Sequence, residues 1–540
     1  MRRITLAFRS LPLILLALLL TLPVLAVFAA WLPWGGDALA GPILREMAST
    51  VLPGYALTTV WLGLLVALGA AVVGTVAAAT VTLFDFAGRR TLEWLLLLPL
   101  AMPAYVTAYA YTDFLQFSGP LQVWLRETYG LEGRLLPEVR SLGGAVWVFI
   151  FSLYPYVYLL ARTALGERAA HLMEAARLLG APLSRRIATI ALPLARPAVA
   201  AGVALVVMET LADFGVSSYF GIQTFTTGIY KAWLSMDNRI AAAQLATFLL
   251  VLVVLLLQIE IRAQRRMRFV TNGVGRAGSA EAQPLRLRGA QVGMAWLICL
   301  LPVLMGFAAP VFFMLRPLAA DWSVLPWSRF LEWAWNSVRL GAITSVLAVA
   351  IALALAFAVR RRPDALTRGV AQLASLGYAV PGAVIVVGLL LPVGWLQAAA
   401  PDWGLASLIT ATAVGIVWAY LVRFCAVALQ SMQSGYARIP VSFDDSARML
   451  GTHSWGLMAR VHWPLLKRST AAAALLVFVD VMKELPATMV LRPFNSDTLA
   501  VVAYQLARDE RLGEAALPSL ALVAVGLVPV IMLSRTLRSR

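Results

Sequence analysis

Apolar stretches of about 20 residues, each long enough to cross a bilayer as a helix, recur along the whole chain. They fall near residues 11–32, 57–82, 93–113, 143–163, 196–216, 241–261, 292–315, 337–359, 369–391, 407–428, 471–490 and 515–535, which predicts twelve spanning helices. The polar stretches between them alternate in charge. Arg89-Arg90, Arg185-Arg186, the cluster from Arg262 to Arg288, Arg360-Arg361-Arg362, Lys467-Arg468 and the terminal Arg535, Arg538 and Arg540 all fall on one side. About 30 Lys and Arg lie on that side against about 11 on the other, which makes it the cytoplasmic side and places both termini there.

The pattern repeats. Thr59-Val60 aligns with Ser337-Val338 and Pro103 with Pro381 at an offset of 278, whereas Val146-Trp147 aligns with Val417-Trp418 and Pro193 with Pro464 at 271. A longer outer loop around Gly119 to Gly144 absorbs the difference. Six helices separate the copies, so both have the same orientation, a parallel repeat about an axis along the membrane normal. The expected organisation is a first helix and outer loop over 1–56, a first repeat over 57–261 and a basic, Gly-rich cytoplasmic linker over 262–291. A seventh helix with its outer loop follows over 292–336, and a second repeat over 337–535. The apolar run from Leu11 to Trp31 also fits a cleaved secretory signal, but its length favours a retained helix.

Two cytoplasmic loops carry one punctuation. Glu174-Ala175-Ala176-Arg177-Leu178-Leu179-Gly180 is followed after nine residues by Ile190-Ala191-Leu192-Pro193. Asp445-Ser446-Ala447-Arg448-Met449-Leu450-Gly451 is followed after nine residues by Val461-His462-Trp463-Pro464. Each reads as a short helix stopped at glycine, then a second helix that re-enters the membrane at proline. A loop outside the bilayer keeps such a pattern twice when a partner reads it, so both are expected to be docking loops. Good helix-forming composition alone is the bland reading, and two identically spaced copies argue against it. Small alanines let a partner approach closely, and Glu174 is placed to meet a cation at the partner's rim.

Composition narrows the class. The chain has 540 residues, 61% of them hydrophobic and 13% charged, with a mean hydropathy of +0.81. A formal charge of +17 raises the question of nucleic-acid binding, but its concentration in alternate loops is the signature of membrane orientation instead. Cys299 and Cys425 lie inside apolar spans and form no metal or disulfide spacing. The three histidines, His171, His453 and His462, fall in or beside the docking loops and are expected to be solvated or to meet a partner. No phosphate-binding loop exists, because Lys231, Lys467 and Lys483 follow Tyr230, Leu466 and Met482 rather than glycine. Energy must come from another subunit or an ion gradient. No nucleophile–base pair or metal spacing suggests an enzyme.

Ionisable groups inside a span are costly unless paired or wetted, and so mark a pathway by default. Glu209 and Asp213 stand four apart, which on a helix is one face, and Asp480 and Glu484 repeat the spacing 271 positions on. Glu209 lies about 18 Å along the helix from Pro197 at 1.5 Å per residue. Two such pairs form an acidic path suited to a hard cation with oxygen ligands. Lys483 can instead neutralise Asp480 in its own helix, and Arg339 and Arg423 are further intramembrane cations that need partners.

The pattern Glu-Ala-Ala-x3-Gly-x9-Ile-x-Leu-Pro resembles that of the integral membrane permeases of ABC importers, whose loop seats a coupling helix in an ATPase subunit. The second copy departs from it at Asp445, Ser446, Val461 and Trp463. Glu209-Thr210-Leu211-Ala212-Asp213-Phe214-Gly215 and Asp480-Val481-Met482-Lys483-Glu484-Leu485-Pro486 resemble the fused two-domain permeases of ferric iron importers. That resemblance, covering about residues 57 to 535, implies an all-α polytopic protein of two tandem six-helix type I permease units in a bacterial inner membrane. It also implies a cytoplasmic ATPase homodimer that carries ATP and Mg, no cofactor on this chain, and a periplasmic ferric-binding protein. It places Glu174, Ala175, Ala176, Gly180, Pro193, Asp445, Ala447, Gly451 and Pro464 in the coupling loops. Glu209, Asp213, Asp480, Lys483 and Glu484 fall along the translocation path. Thiamine, putrescine and phosphonate permeases are relatives of that family. A gradient-driven carrier of six plus six helices is the rival class.

Overall fold

The computed structural model describes residues 2–29, 31, 40–166, 170–272, 285–320, 322–323, 325–452 and 455–538. Among them the chain is almost wholly helical, with one two-residue parallel pairing of Phe84-Asp85 on Leu285-Arg286. In chain order we label α1 Arg2–Ala29, α2 Leu52–Leu83, α3 Ala104–Leu115, α4 Leu142–Ala164, α5 Ala170–Leu178 and α6 Leu192–Ala212. Next come α7 Gly215–Tyr219, α8 Arg239–Asn272, α9 Ala290–Val303, α10 Ala309–Ala320, α11 Trp327–Arg361 and α12 Gly382–Ala399. The series ends with α13 Ala413–Tyr436, α14 Val441–Met449, α15 Trp463–Lys483, α16 Pro486–Leu491, α17 Leu499–Arg508 and α18 Leu512–Arg538.

Ten helical segments of the described residues are long and apolar enough to cross a membrane, and a bent pair raises the number to eleven. That pair, Arg89–Ala101 with Ala104–Tyr129, turns by 90°. The turn falls at Pro103, whose extended backbone (φ −61°, ψ 141°) cannot continue a helix. Pro381, its repeat mate, adopts the same conformation (φ −59°, ψ 141°) ahead of α12, so the expected span 369–391 is split likewise. The twelfth expected span is α15, whose 21 residues equal those of α6. It carries Lys467, Arg468, Asp480 and Lys483, which lower its apolar character below that of its mate.

The repeat offset of 271 holds for elements as well as letters. Helices α5, α6 and the π-helical turn Ile187–Ala191 map residue for residue onto α14, α15 and the turn Met458–His462. Both π turns have one cause: a proline at the second position of the next helix lacks the N–H of an α-helical ladder, and the ladder shifts by one residue. Accordingly Leu192 N donates to Ile187 O, and Trp463 N to Met458 O.

The chain forms two compact units that do not follow the repeat boundaries. One comprises Met1–Ser49, Gly228–Leu250 and Pro326–Val502, and the other Thr50–Thr227, Val251–Leu325 and Ala503–Arg540. Helix α1 thus belongs with second-repeat helices. It packs on α12, where a side chain at Gly388 would run into the Pro23 carbonyl, and Trp418 Nε1 donates to Leu19 O at 2.7 Å. In the other unit α18 packs against α3 and α10, and Tyr111 donates its hydroxyl proton to Met305 O at 2.7 Å. The linker expected from 262 begins as helix, since α8 runs on to Asn272; residues 273–284 of it lie outside the described residues.

Candidate functional site: two docking loops and two broken helices

Both punctuated loops fold to one geometry. At the end of α5, Ala181 N donates to Ala176 O at 3.0 Å and Gly180 N to Arg177 O at 2.9 Å. At the end of α14, Thr452 N donates to Ala447 O at 2.9 Å and Gly451 N to Arg448 O at 3.0 Å. The glycines take φ of 81° and 77°, the left-handed region that an L side chain enters only with strain. This stop turns the two preceding residues outward. Leu178 and Leu179 are 85% and 87% exposed, and Met449 and Leu450 90% and 85%. Each loop therefore exposes two adjacent large apolar side chains at its glycine stop.

The other loop residues sort by face. Glu174, Ala175 and Gly180 are exposed on the first loop, and Ala176 and Pro193 are half-buried. On the second loop Asp445, Gly451 and Pro464 are exposed, with Asp445 held by Arg448 of its own helix at 3.3 Å. Ala447 is buried in its own unit, so it seats α14 rather than offering a low face outward.

The two loops are anchored differently. On the first, buried Arg186 donates to Met173 O at 3.4 Å. On the second, the position of Met173 is Asp444, 2% exposed, which accepts from Arg360 Nε at 2.9 Å and pairs with His462 Nε2 at 3.0 Å. His462 Nδ1 lies 3.3 Å from the Tyr436 hydroxyl, and Arg360 also donates to Pro440 O at 3.0 Å. One carboxylate therefore ties α14 to the end of α11 and the start of α15, and through His462 to the end of α13. Burial would raise the Asp444 pKa, but the hydrogen bonds and charges of Arg360 and His462 outweigh it and hold the group below the usual carboxylate range. His462 is fully buried, which corrects the expectation of a solvated or partner-facing histidine. His453 lies outside the described residues.

The acidic pairs do not each lie on one helical face. Helix α6 ends at Ala212 and α15 at Lys483, and Asp213 (φ −72°, ψ 129°) and Glu484 (φ −70°, ψ 123°) occupy matching breaks. Each then caps the short helix that follows: Asp213 Oδ1 accepts from Val216 N at 2.8 Å. Glu484 accepts from Ala487 N and Thr488 N at 2.9 Å each, from the Thr488 hydroxyl at 2.6 Å and from Arg423 at 3.4 Å. Capping supplies the acceptors that the first N–H groups of α7 and α16 need. Arg423 thereby finds its partner, while Arg339 is exposed. Glu209 remains on α6, half-buried, and Asp480 on α15 lies within electrostatic reach of Lys483. Among the described residues no three of His, Cys, Asp and Glu gather as a metal site.

The described residues thus combine ten or eleven helical segments able to cross a membrane with two matching exposed loops and two matching helix breaks. Residues 70–268 match the family described as binding-protein-dependent transport system inner membrane component, and the chain is similar over most of its length to transmembrane permease subunits of importers. It is 24% identical over 479 residues to an Fe(3+)-transport system permease protein of Haemophilus influenzae, covering 88% of each chain. A probable ABC transporter permease protein of Sinorhizobium fredii is 24% identical over 549 residues, covering 96% of this chain and 94% of its own. A sulfate transport system permease protein of Escherichia coli is 29% identical over 235 residues, covering 42% of this chain and 77% of its own.

Proposed function

We propose that this chain is the fused permease of an ATP-driven ferric iron importer of the bacterial inner membrane. Two copies of a cytoplasmic ATPase, which carry ATP and Mg, dock on α5 and α14. A periplasmic binding protein delivers the cargo from the opposite side. The pair of knuckles carries this reading, because each ends in the same glycine stop and lifts two apolar side chains into water. Two equal seats suit a dimer of one ATPase. The excess of Lys and Arg supports cytoplasmic loops and cytoplasmic termini. The match of residues 70–268 to a binding-protein-dependent transport family favours this scheme over a gradient-driven carrier.

The cargo follows from chemistry and from likeness together. The half-buried acids Glu209 and Asp480 offer hard oxygen donors in each unit, and Asp213, Lys483 and Glu484 stand at or beside the helix breaks. The relatives similar over most of this chain include one named for Fe(3+) transport. The docking set Glu174, Ala175, Gly180, Asp445 and Gly451 meets the partner, while Ala176, Ala447, Pro193 and Pro464 set the path of the loop.

The cargo is tested with the chain, its ATPase and its binding protein in proteoliposomes. Ferric iron presented on the binding protein is expected to stimulate ATP hydrolysis and to enter the lumen. Thiamine, putrescine and phosphonate are expected to do neither. Stimulation by one of those solutes and not by iron refutes the ferric assignment.

A further inference from the structure

One compact unit holds a group of four tyrosines, three from the first repeat and Tyr504 from the second, and the second repeat has no tyrosine at the mates of those three. Tyr105 and Tyr109 stand one turn apart on α3, with ring centroids 5.7 Å apart. The Tyr109 ring meets that of Tyr219, the last residue of α7, edge to face at 4.7 Å. Tyr504 reaches the same neighbourhood from α17, and its hydroxyl lies 2.8 Å from that of Ser218. Tyr109 is 3% exposed, and its hydroxyl has no hydrogen-bond partner among the described residues. Tyr105, Tyr219, Tyr504 and Asp213 all lie within electrostatic reach of it.

A buried phenol left unpaired is costly, on the order of 1–3 kcal/mol, and a fold with no use for it substitutes a hydrocarbon. The second repeat has done so. Its residues at the positions of Tyr105, Tyr109 and Tyr219 are Ala383, Val387 and Val490, in the same broken-helix architecture. The charge environment differs as well. Arg423, which neutralises Glu484, has Ser152 at its position in the first repeat. The architecture therefore requires neither the phenols nor their arrangement around Asp213.

A polar hollow of about 200 Å³ adjoins the group, lined among others by Thr112, Gln116, Arg134, Glu138, Arg140 and Glu510. Thr112 lies one turn beyond Tyr109 on α3. Arg140 forms the connection: it stacks over the Tyr219 ring at 4.7 Å, donates to the Tyr219 oxygen at 3.1 Å, and is held by both oxygens of Glu510 at 2.6 and 3.0 Å. Glu510 balances Arg140 and Glu138 pairs with Arg134 at 3.3 Å, so the lining arginines carry no uncompensated positive charge.

We infer that the phenol oxygens of Tyr105, Tyr109, Tyr219 and Tyr504, with the Asp213 carboxylate, form a transient oxygen-donor station for a hard trivalent cation, beside the hollow that Thr112 and Arg140 line. The inference rests on the ferric reading and adds the residues that hold the cargo in transit. Hard cations favour anionic oxygen donors. Each bond from the cation to a phenol oxygen displaces one bound water and releases the phenol proton, which leaves with that water. The metal's oxidation state does not change. Confining the donors to one unit gives the cargo a single stopping place instead of two equivalent ones.

The test uses the full chain in detergent, titrated with ferric iron supplied as its nitrilotriacetate complex. A visible phenolate-to-iron charge-transfer band is expected to saturate at one iron per chain. Tyr109→Phe removes only the unpaired hydroxyl, so elution as a single folded species is expected to persist. Its apparent iron affinity is expected to fall by about tenfold or more, as when metal-ligand environments are perturbed elsewhere. Tyr158→Phe is the control, since the Tyr158 hydroxyl is already committed to Glu93 O at 2.9 Å; its band should be unchanged. A band of equal strength in Tyr109→Phe means adventitious surface iron and overturns the station. So does the absence of a band in a chain whose complex still imports iron. If the complex imports no iron at all, the ferric reading itself falls, and the station with it.

Discussion

Replacing Leu179 and Leu450 together by aspartate is expected to dissociate the ATPase and abolish transport while leaving the permease folded. Both side chains are at least 85% exposed, so the free chain gives up no core packing when they change. In the assembled complex each would be buried against the partner, and a carboxylate there would lose its water without gaining a cation. Removing an apolar anchor of this kind costs about 2 kcal/mol or more, and two independent seats multiply the loss to roughly a thousandfold in affinity. Co-purification of the ATPase with tagged permease measures this, and thermal unfolding of the free permease serves as control. A double variant that retains its ATPase shows that the knuckles are not the docking surface.

Asp444→Ala is the second large effect, and its signature is opposite. Arg360 and His462 would keep their burial and lose their common acceptor, a defect expected to cost about 3 kcal/mol or more of stability. The knuckle itself is untouched, so the ATPase is expected to bind. What fails is transmission, because α14 is no longer tied to α11, α13 and α15. The measurement is a comparison of ATPase binding, thermal unfolding and coupled transport in the same preparation. Equal stability and full coupling in Asp444→Ala would remove the brace from the account. The depressed Asp444 pKa also fixes a direction for pH. Its contribution is complete above the ordinary carboxylate range and is lost as pH falls through the lowered value, so the brace holds throughout neutral conditions.

Much of this architecture was legible in the letters. The glycine stops at 180 and 451 and the prolines at 193 and 464 act locally, and local rules predicted both loops and their equivalence. Pro103 and Pro381 are local signals too, yet a count of apolar residues runs through them and hides the breaks. The spacing of Glu209 and Asp213 suggested one face because periodicity assumes an unbroken helix. Phe214-Gly215 and Leu485-Pro486 were the available warnings that both helices end there. The burial of His462 could not be read from its neighbours, since Arg360 lies 102 positions away in sequence and only the fold brings it to Asp444. The placement of α1 among second-repeat helices was equally remote, although a glycine at 388 inside a spanning helix hinted at close approach.

Transport in proteoliposomes that hold the permease, its ATPase and the loaded binding protein, with ATP supplied or withheld, tests the central claim most directly. Iron uptake is expected only with ATP on the side of α5 and α14, and none from a proton or sodium gradient alone. Uptake by the permease without the ATPase, driven by a gradient, would contradict it.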